Sequence, residues 1–294
     1  MKKECVFAMF VFAVGVAYAQ QGGAQQGGAQ QGAQPGAQRG GGRQGGGGGG
    51  PREIGPQPPV VTPGSPSTAP SDAIVLFNGK DNTGWTRMDG TPSHCTVADG
   101  VMSCRTGALD TQSAEKFSDA QIHVEFNVPL EADAHGQARS NSGIVLQGRY
   151  EIQILDSYQN ATYANGSCGA LYGQFAPEVN ACRPPEQWQS YDMVFHAPRC
   201  AAGSTTPEPG SLTIFHNGVL IQDHVPVRGR GCEIEGPLVL QDHGREAGRK
   251  IAENPGIEVG APDTTTRFRN IWMRRIPQTE PPNPVAPAAP APGR

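Results

Sequence analysis

Short apolar or alternating runs recur between Ile74 and Arg274, and no stretch keeps the 3.6-residue apolar period of a helix. The runs are Ile74–Phe77, Gln121–Val128, Gly143–Gln147, Tyr150–Leu155, Ser190–His196, Ser211–Phe215, Val219–Asp223, Pro237–Leu240 and Arg267–Arg274; Gly, Pro or Asn-Gly bound several of them. In Gln121–Val128 polar and apolar residues alternate strictly, which predicts one wet face and one packed face. Two tight hairpins are expected. Asn217-Gly218 joins Leu212–His216 to Val219–Asp223, and Asp99-Gly100 closes a second loop. Counting outward from Asp99-Gly100 pairs Ala98 with Val101 and finally Cys95 with Cys104, at a non-hydrogen-bonded position where the Cα atoms come closest and a disulfide fits. Thr111–Glu115 and Arg245–Asn254 are candidate helical turns. Nine or more strands without crossover helices predict an all-β antiparallel sandwich or jelly roll.

Composition narrows where this fold can sit. Of 40 glycines, 17 lie between Gln20 and Pro70, among Gln, Ala and Pro. A segment so poor in apolar side chains cannot offset its ordering entropy, so 20–71 is expected to be a disordered linker and the proline-rich 278–294 a disordered tail. One folded domain remains, 72–277. It carries 17 Lys and Arg against 24 Asp and Glu, a net charge near −7. That balance excludes nucleic acid and anionic membranes as partners, because the phosphate-neutralising charge is missing. Lys2 and Lys3, the apolar run Cys5–Ala17 and the small residues Ala17 and Ala19 form a secretory signal over 1–19, too short to anchor the chain in a membrane. The mature protein is therefore expected in the periplasm or secreted. Export leaves six cysteines for up to three disulfides. Cys95–Cys104 follows from hairpin geometry; Cys168–Cys182 and Cys200–Cys232 follow only from proximity in sequence. No C-x-x-C pair is present, so no cofactor is expected; a divalent cation could be held, but no ligand spacing in the sequence indicates one.

The densest polar cluster on a strand is Glu151-Ile152-Gln153-Ile154-Leu155-Asp156. Alternation puts Glu151 and Gln153 on one face, and a β-bulge near Leu155 would bring Asp156 to join them. Such a row suits acid/base work on a sugar; it equally suits a solvated strand face. Upstream, Asn141-Ser142-Gly143 enters the neighbouring run, and Gly143 permits close backbone approach. Gln241-Asp242-His243 ends another strand, with Gln241 and His243 on one face and His243 a candidate proton carrier. Arg183-Pro184-Pro185-Glu186-Gln187-Trp188 reads as a stiff loop offering a guanidinium fork and a flat ring, both useful to a sugar, although Trp188 is as readily a core residue. There is no G-x-S-x-G and no H-E-x-x-H.

These segments occur in an order that resembles a known family. Leu76-Phe77-Asn78-Gly79-Lys80-Asp81, Asn141-Ser142-Gly143-Ile144, Tyr150–Asp156, Asn180–Pro185, Trp188–Asp192, His216–Val219, Leu240–Gly244 and Arg267–Trp272 together look like the 3-keto-disaccharide hydrolase domain. The resemblance implies a concanavalin-like jelly roll with a sugar groove, and action on glycosides oxidised to a ketone at C3. It also likens Glu151, Gln153 and Asp156 to the E-x-D-x-x-E strand of laminarinase-type glycosidases. Here an amide replaces the central acid, which argues against double displacement. A C3 ketone acidifies the C2 hydrogen, so elimination of the C1 substituent and rehydration is the route expected. Glu151 and His243 are then the acid/base pair, Asp156 the orienter, and Asn141, Gln153, Arg183, Trp188 and Gln241 the substrate contacts. The competing reading is a lectin-like, non-catalytic carbohydrate-binding module.

Overall fold

The computed structural model describes residues 57–65, 68–105, 109–229, 231–233, 235–242 and 265–277. The expected signal segment, most of the linker, the C-terminal tail, the candidate helical turn at Arg245–Asn254 and His243 all lie outside them. Among the described residues fifteen strands form, with two short 3-10 turns at Gly136–Ala138 and Ala164–Gly166. In chain order they are β1 (Ile74–Phe77), β2 (Trp85–Arg87), β3 (Thr96–Ala98), β4 (Val101–Arg105), β5 (Thr111–Phe117), β6 (Ala120–Asn127), β7 (Ser142–Leu146), β8 (Tyr150–Ile154) and β9 (Gln189–His196). The others are β10 (Arg199–Cys200), β11 (Pro207–Glu208), β12 (Gly210–His216), β13 (Val219–Val227), β14 (Gly236–Asp242) and β15 (Thr265–Arg275). Among the described residues no helix is long and apolar enough to cross a membrane.

The strands make the expected sandwich. One sheet runs β13-β12-β9-β6-β15-β4-β3, with β1 also pairing along β15; the other runs β2-β5-β14-β7-β8. Every pairing is antiparallel, as hairpin connections without crossover helices require. Ile122, Val124, Phe126, Tyr191, Met193 and Phe268 from the larger sheet share one core with Ile144, Leu146, Tyr150, Ile152 and Ile154 from the smaller. Asp99-Gly100 and Asn217-Gly218 both take positive φ, which admits the two-residue turns that set the β3–β4 and β12–β13 registers. Cys95–Cys104 is bonded, as is Cys200–Cys232. The third expected disulfide is not formed: Cys168 and Cys182 are both unbonded.

Two local expectations fail for identifiable reasons. Thr111–Phe117 is a strand, not a helical turn, because Thr111, Ser113 and Phe117 turn inward between β2 and β14. The polar face of β6 is not wet: His123, Glu125 and Asn127 are buried, and His123 and Glu125 are held by polar partners. His123 Nδ1 lies 2.6 Å from Asp192 Oδ1, and Glu125 accepts from Arg269 at 2.7 Å and Asn270 at 2.9 Å.

Candidate functional site

Alternation along β8 sends Tyr150, Ile152 and Ile154 into the core and leaves Glu151 and Gln153 on the outer face of the smaller sheet. Register then builds two cross-strand rows. Val239, Val145 and Glu151 form one; Gln241, Gly143 and Gln153 form the other. The two valines give an apolar floor. Around it lies a cavity of about 310 Å³ bordered by Glu151, Gln241, Asp110, Arg149, Tyr172 and Gln174. Its size and mixed lining fit a small-molecule site.

Gly143 separates the two functional side chains. A Cβ built there would stand 2.9 Å from Gln241 Oε1, 3.0 Å from Glu151 Cγ and 3.2 Å from Glu151 Oε1. The glycine therefore serves close approach of neighbouring side chains; its φ is not in the left-handed region. Gln241 Oε1 is buried without a hydrogen-bond partner.

Gln153 supports Glu151 from beneath. Its side chain is fully buried, because 169–172 runs beside β8: Gln153 N donates to Ala170 O at 3.0 Å, and Tyr172 N donates to Glu151 O at 2.9 Å. In one amide orientation Gln153 Nε2 donates to Gln137 Oε1 at 3.1 Å and Asn141 Oδ1 at 3.2 Å; with the amide's O and N exchanged, the nitrogen faces Glu151 Oε1 at 2.9 Å and Ser142 O at 3.2 Å. Asn141 in turn donates to Gln137 O at 2.9 Å. Gln153 thus packs beside the carboxylate and is not open to substrate, a correction to the expected contact, while Asn141 is half-buried against Gln137 and Gln153. An acid at 153 would set a second negative charge against Glu151; the amide supplies a donor.

Asp156 does not reach the site. The β7–β8 ladder runs without a bulge, and the chain leaves β8 after Ile154. The Asp156 side chain turns inward, 2.8 Å from Arg139 Nε, and Oδ1 accepts from Tyr158 N at 3.1 Å. Burial holds this carboxyl above the usual carboxylate range, with Arg139 opposing the shift.

Arg183 and Trp188 lie elsewhere too. They border a cavity of about 1340 Å³ on the outer face of the larger sheet, with His123, Glu125, Asp192 and Arg269. Arg183 Nη1 donates to Trp188 O at 2.8 Å, and the Arg269 guanidinium sits 4.0 Å over the Trp188 ring. The whole sandwich separates them from Glu151.

Sequence reasoning missed Arg149, Asp110, Tyr172 and Gln174. Arg149 had a readable signal, since 149, 151 and 153 share a parity. Its guanidinium is pinned at the rim by Glu233 Oε2 at 2.7 Å and by the Glu233 and Glu235 carbonyls at 2.8 and 3.3 Å. Asp110 Oδ1 accepts from Asp242 N at 2.8 Å, so a contact far apart in sequence holds it in place.

Residues 72–274 match the model of the 3-keto-alpha-glucoside-1,2-lyase-like domain. The chain belongs to this family. A crystal structure of a candidate glycosyl hydrolase from Parabacteroides distasonis is similar at 38% identity and a TM-score of 0.65, covering 75% of this chain and 93% of that one. A second protein of that description and organism shares 17% identity over 70% of this chain and 94% of its own, with a TM-score of 0.49. No curated protein matches the chain. Family and first neighbour together mark a carbohydrate-active enzyme.

Proposed function

We propose that the chain cleaves 3-keto-glycosides by β-elimination followed by hydration, in the cavity on the outer face of the smaller sheet. The observation that carries this reading is a carboxylate, Glu151, at the cavity with the neutral amide of Gln153 beside it, while the other bordering carboxylate, Asp110, is tied to the Asp242 backbone N–H. A double-displacement glycosidase needs a nucleophile and a separate acid about 5 Å apart. Asp156, the second carboxylate on this segment, is paired with Arg139 instead. Elimination needs less. Glu151 takes the C2 proton, acidified by the C3 ketone; electrons move to form the C1–C2 double bond; the C1 oxygen leaves and picks up a proton. Water then adds its oxygen to C1 and a proton to C2, so the net change is hydrolysis.

The developing enolate oxygen at C3 calls for donors, and the Gln241 amide and the pinned Arg149 guanidinium border the same cavity. The proton for the departing oxygen is assigned to His243, two residues beyond Gln241. Export to the periplasm or medium is part of the same reading, supported by the signal-like 1–19 and two disulfides.

The test is turnover of a chemically prepared 3-keto-disaccharide in D₂O. Elimination and hydration place deuterium at C2 of the released keto sugar faster than buffer exchange alone does. Glu151→Gln should lower kcat by about 10³-fold with an unchanged circular dichroism spectrum. Cleavage at the wild-type rate by that variant would overturn the assignment. Binding without turnover by the wild-type chain would favour the non-catalytic carbohydrate-binding module.

A further inference from the structure

Beneath the site strand, two loops and the end of β12 bring together side chains that the proposed reaction does not use. Cys168 follows the second 3-10 turn, Cys182 lies in the loop before β9, and His216 ends β12. One donor atom from each lies within 4.8 Å of the other two. Cys168 and His216 are buried and Cys182 is half-buried. His216 packs 4.9 Å from the Tyr191 ring and 6.0 Å from Phe126.

Hydrogen bonding fixes the tautomer of His216. Gln189 Oε1 accepts from the Arg183 backbone N–H at 3.0 Å, so this atom is an oxygen. His216 Nε2, 2.9 Å from the same oxygen, therefore carries the ring proton and donates it. Nδ1 is left with its lone pair, buried and without a hydrogen-bond partner. A histidine with one nitrogen donating to a fixed carbonyl oxygen and the other bare has the tautomer of a metal ligand. The sulfurs have weak partners in the same pocket. Cys168 Sγ is 3.0 Å from Tyr191 OH, whose own proton goes to Gln153 O at 2.7 Å, and Cys182 Sγ is 3.9 Å from Leu155 O.

We propose that Cys168, Cys182 and His216 Nδ1 form a closed site for one thiophilic d¹⁰ cation, zinc(II) or copper(I). Around such an ion, donors stand about 3.5–4 Å apart, so the observed cluster needs only a small inward shift. Two thiolates and an imidazole select soft or borderline ions over magnesium or calcium. Three ligands suit copper(I) as they stand and zinc(II) with one added water. A Cys168–Cys182 disulfide is the rival fate of these thiols. It would satisfy the sulfurs and still strand the Nδ1 lone pair, which a cation satisfies together with them. The site would tie the loops before and after 169–172 to β12, directly under Gln153, and so would act on stability rather than on chemistry.

The full chain, purified anaerobically and stripped with chelator, would be loaded in parallel with zinc(II) or copper(I), desalted and assayed by elemental analysis. The expected result is one ion retained per chain in the preferred arm, protection of two thiols from alkylation, and a raised Tm. Cys168→Ser and His216→Ala should each reduce retained metal at least tenfold. Because either variant could misfold, X-ray absorption on the loaded wild-type chain provides an independent reading, with two sulfurs and one imidazole nitrogen in the shell. No ion retained while both thiols are free, or a Cys168–Cys182 bond in a peptide map of the anaerobic preparation, would overturn the proposal.

Discussion

Gly143 is the residue through which the site is most directly tested. It lies in a strand at a φ that alanine can adopt, yet a methyl there would approach Gln241 Oε1 and Glu151 Cγ to 2.9 and 3.0 Å. Gly143→Ala should leave the fold intact, with a Tm within a few degrees of wild type. Displacement of both functional side chains should lower kcat/KM on a 3-keto-disaccharide by about 10²-fold, the usual cost of misplacing catalytic groups by an ångström. Activity within twofold of wild type would show that the Glu151 and Gln241 side chains flanking Gly143 are not where substrate reacts. Glu151 and Gln241 could be read in the sequence because period-2 alternation fixes which side chains share a face. The support role of Gln153 could not be read, since its burial comes from 169–172 crossing beside β8, a contact that leaves no periodic trace.

At the scale of the element, β8 is shaped by how it ends. The carboxylate expected to extend the catalytic row turns inward at Asp156 and meets Arg139. Strand assignments were legible wherever apolar residues alternate or cluster, and β5 was not, because Thr-Gln-Ser-Ala-Glu-Lys carries its inward positions on Thr111 and Ser113. The Asp156–Arg139 pair has a measurable sign. Arg139→Met removes the charge that opposes burial, pushing the Asp156 carboxyl further above its unfolded value near 4. The folded state then binds a proton that the unfolded state releases, so the added stability is present at low pH and is lost as pH rises through the raised folded value. The variant should be about 3 kcal/mol less stable than wild type at pH 7, with the gap narrowing toward pH 5. Urea titrations of both proteins at the two pH values check this, and a gap that widens on acidification would refute it.

Over the whole molecule, the two outer faces of the sandwich carry different equipment. The smaller sheet presents Glu151 and Gln241 over a valine floor, and the larger presents Trp188, Arg183 and an ion-paired network around His123. Sequence reading merged these sets because polar residues of sugar-binding type announce a face without saying which sheet owns it. The topology β13-β12-β9-β6-β15 assigns 183–192 to the larger sheet, and only that assignment separates them. Trp188 is held by Arg183 through its carbonyl and by Arg269 over its ring, so removing its side chain perturbs the surface of β9 and β15 while β7, β8 and β14 keep their register. Trp188→Ala should therefore leave kcat/KM for a small 3-keto-disaccharide within about twofold of wild type, since the lost interaction is one the substrate never makes. The measurement is steady-state turnover on both proteins at matched folded concentration. A loss of tenfold or more in kcat would mean that substrate contacts the larger sheet, and the reaction would have to be relocated to the His123–Asp192 face.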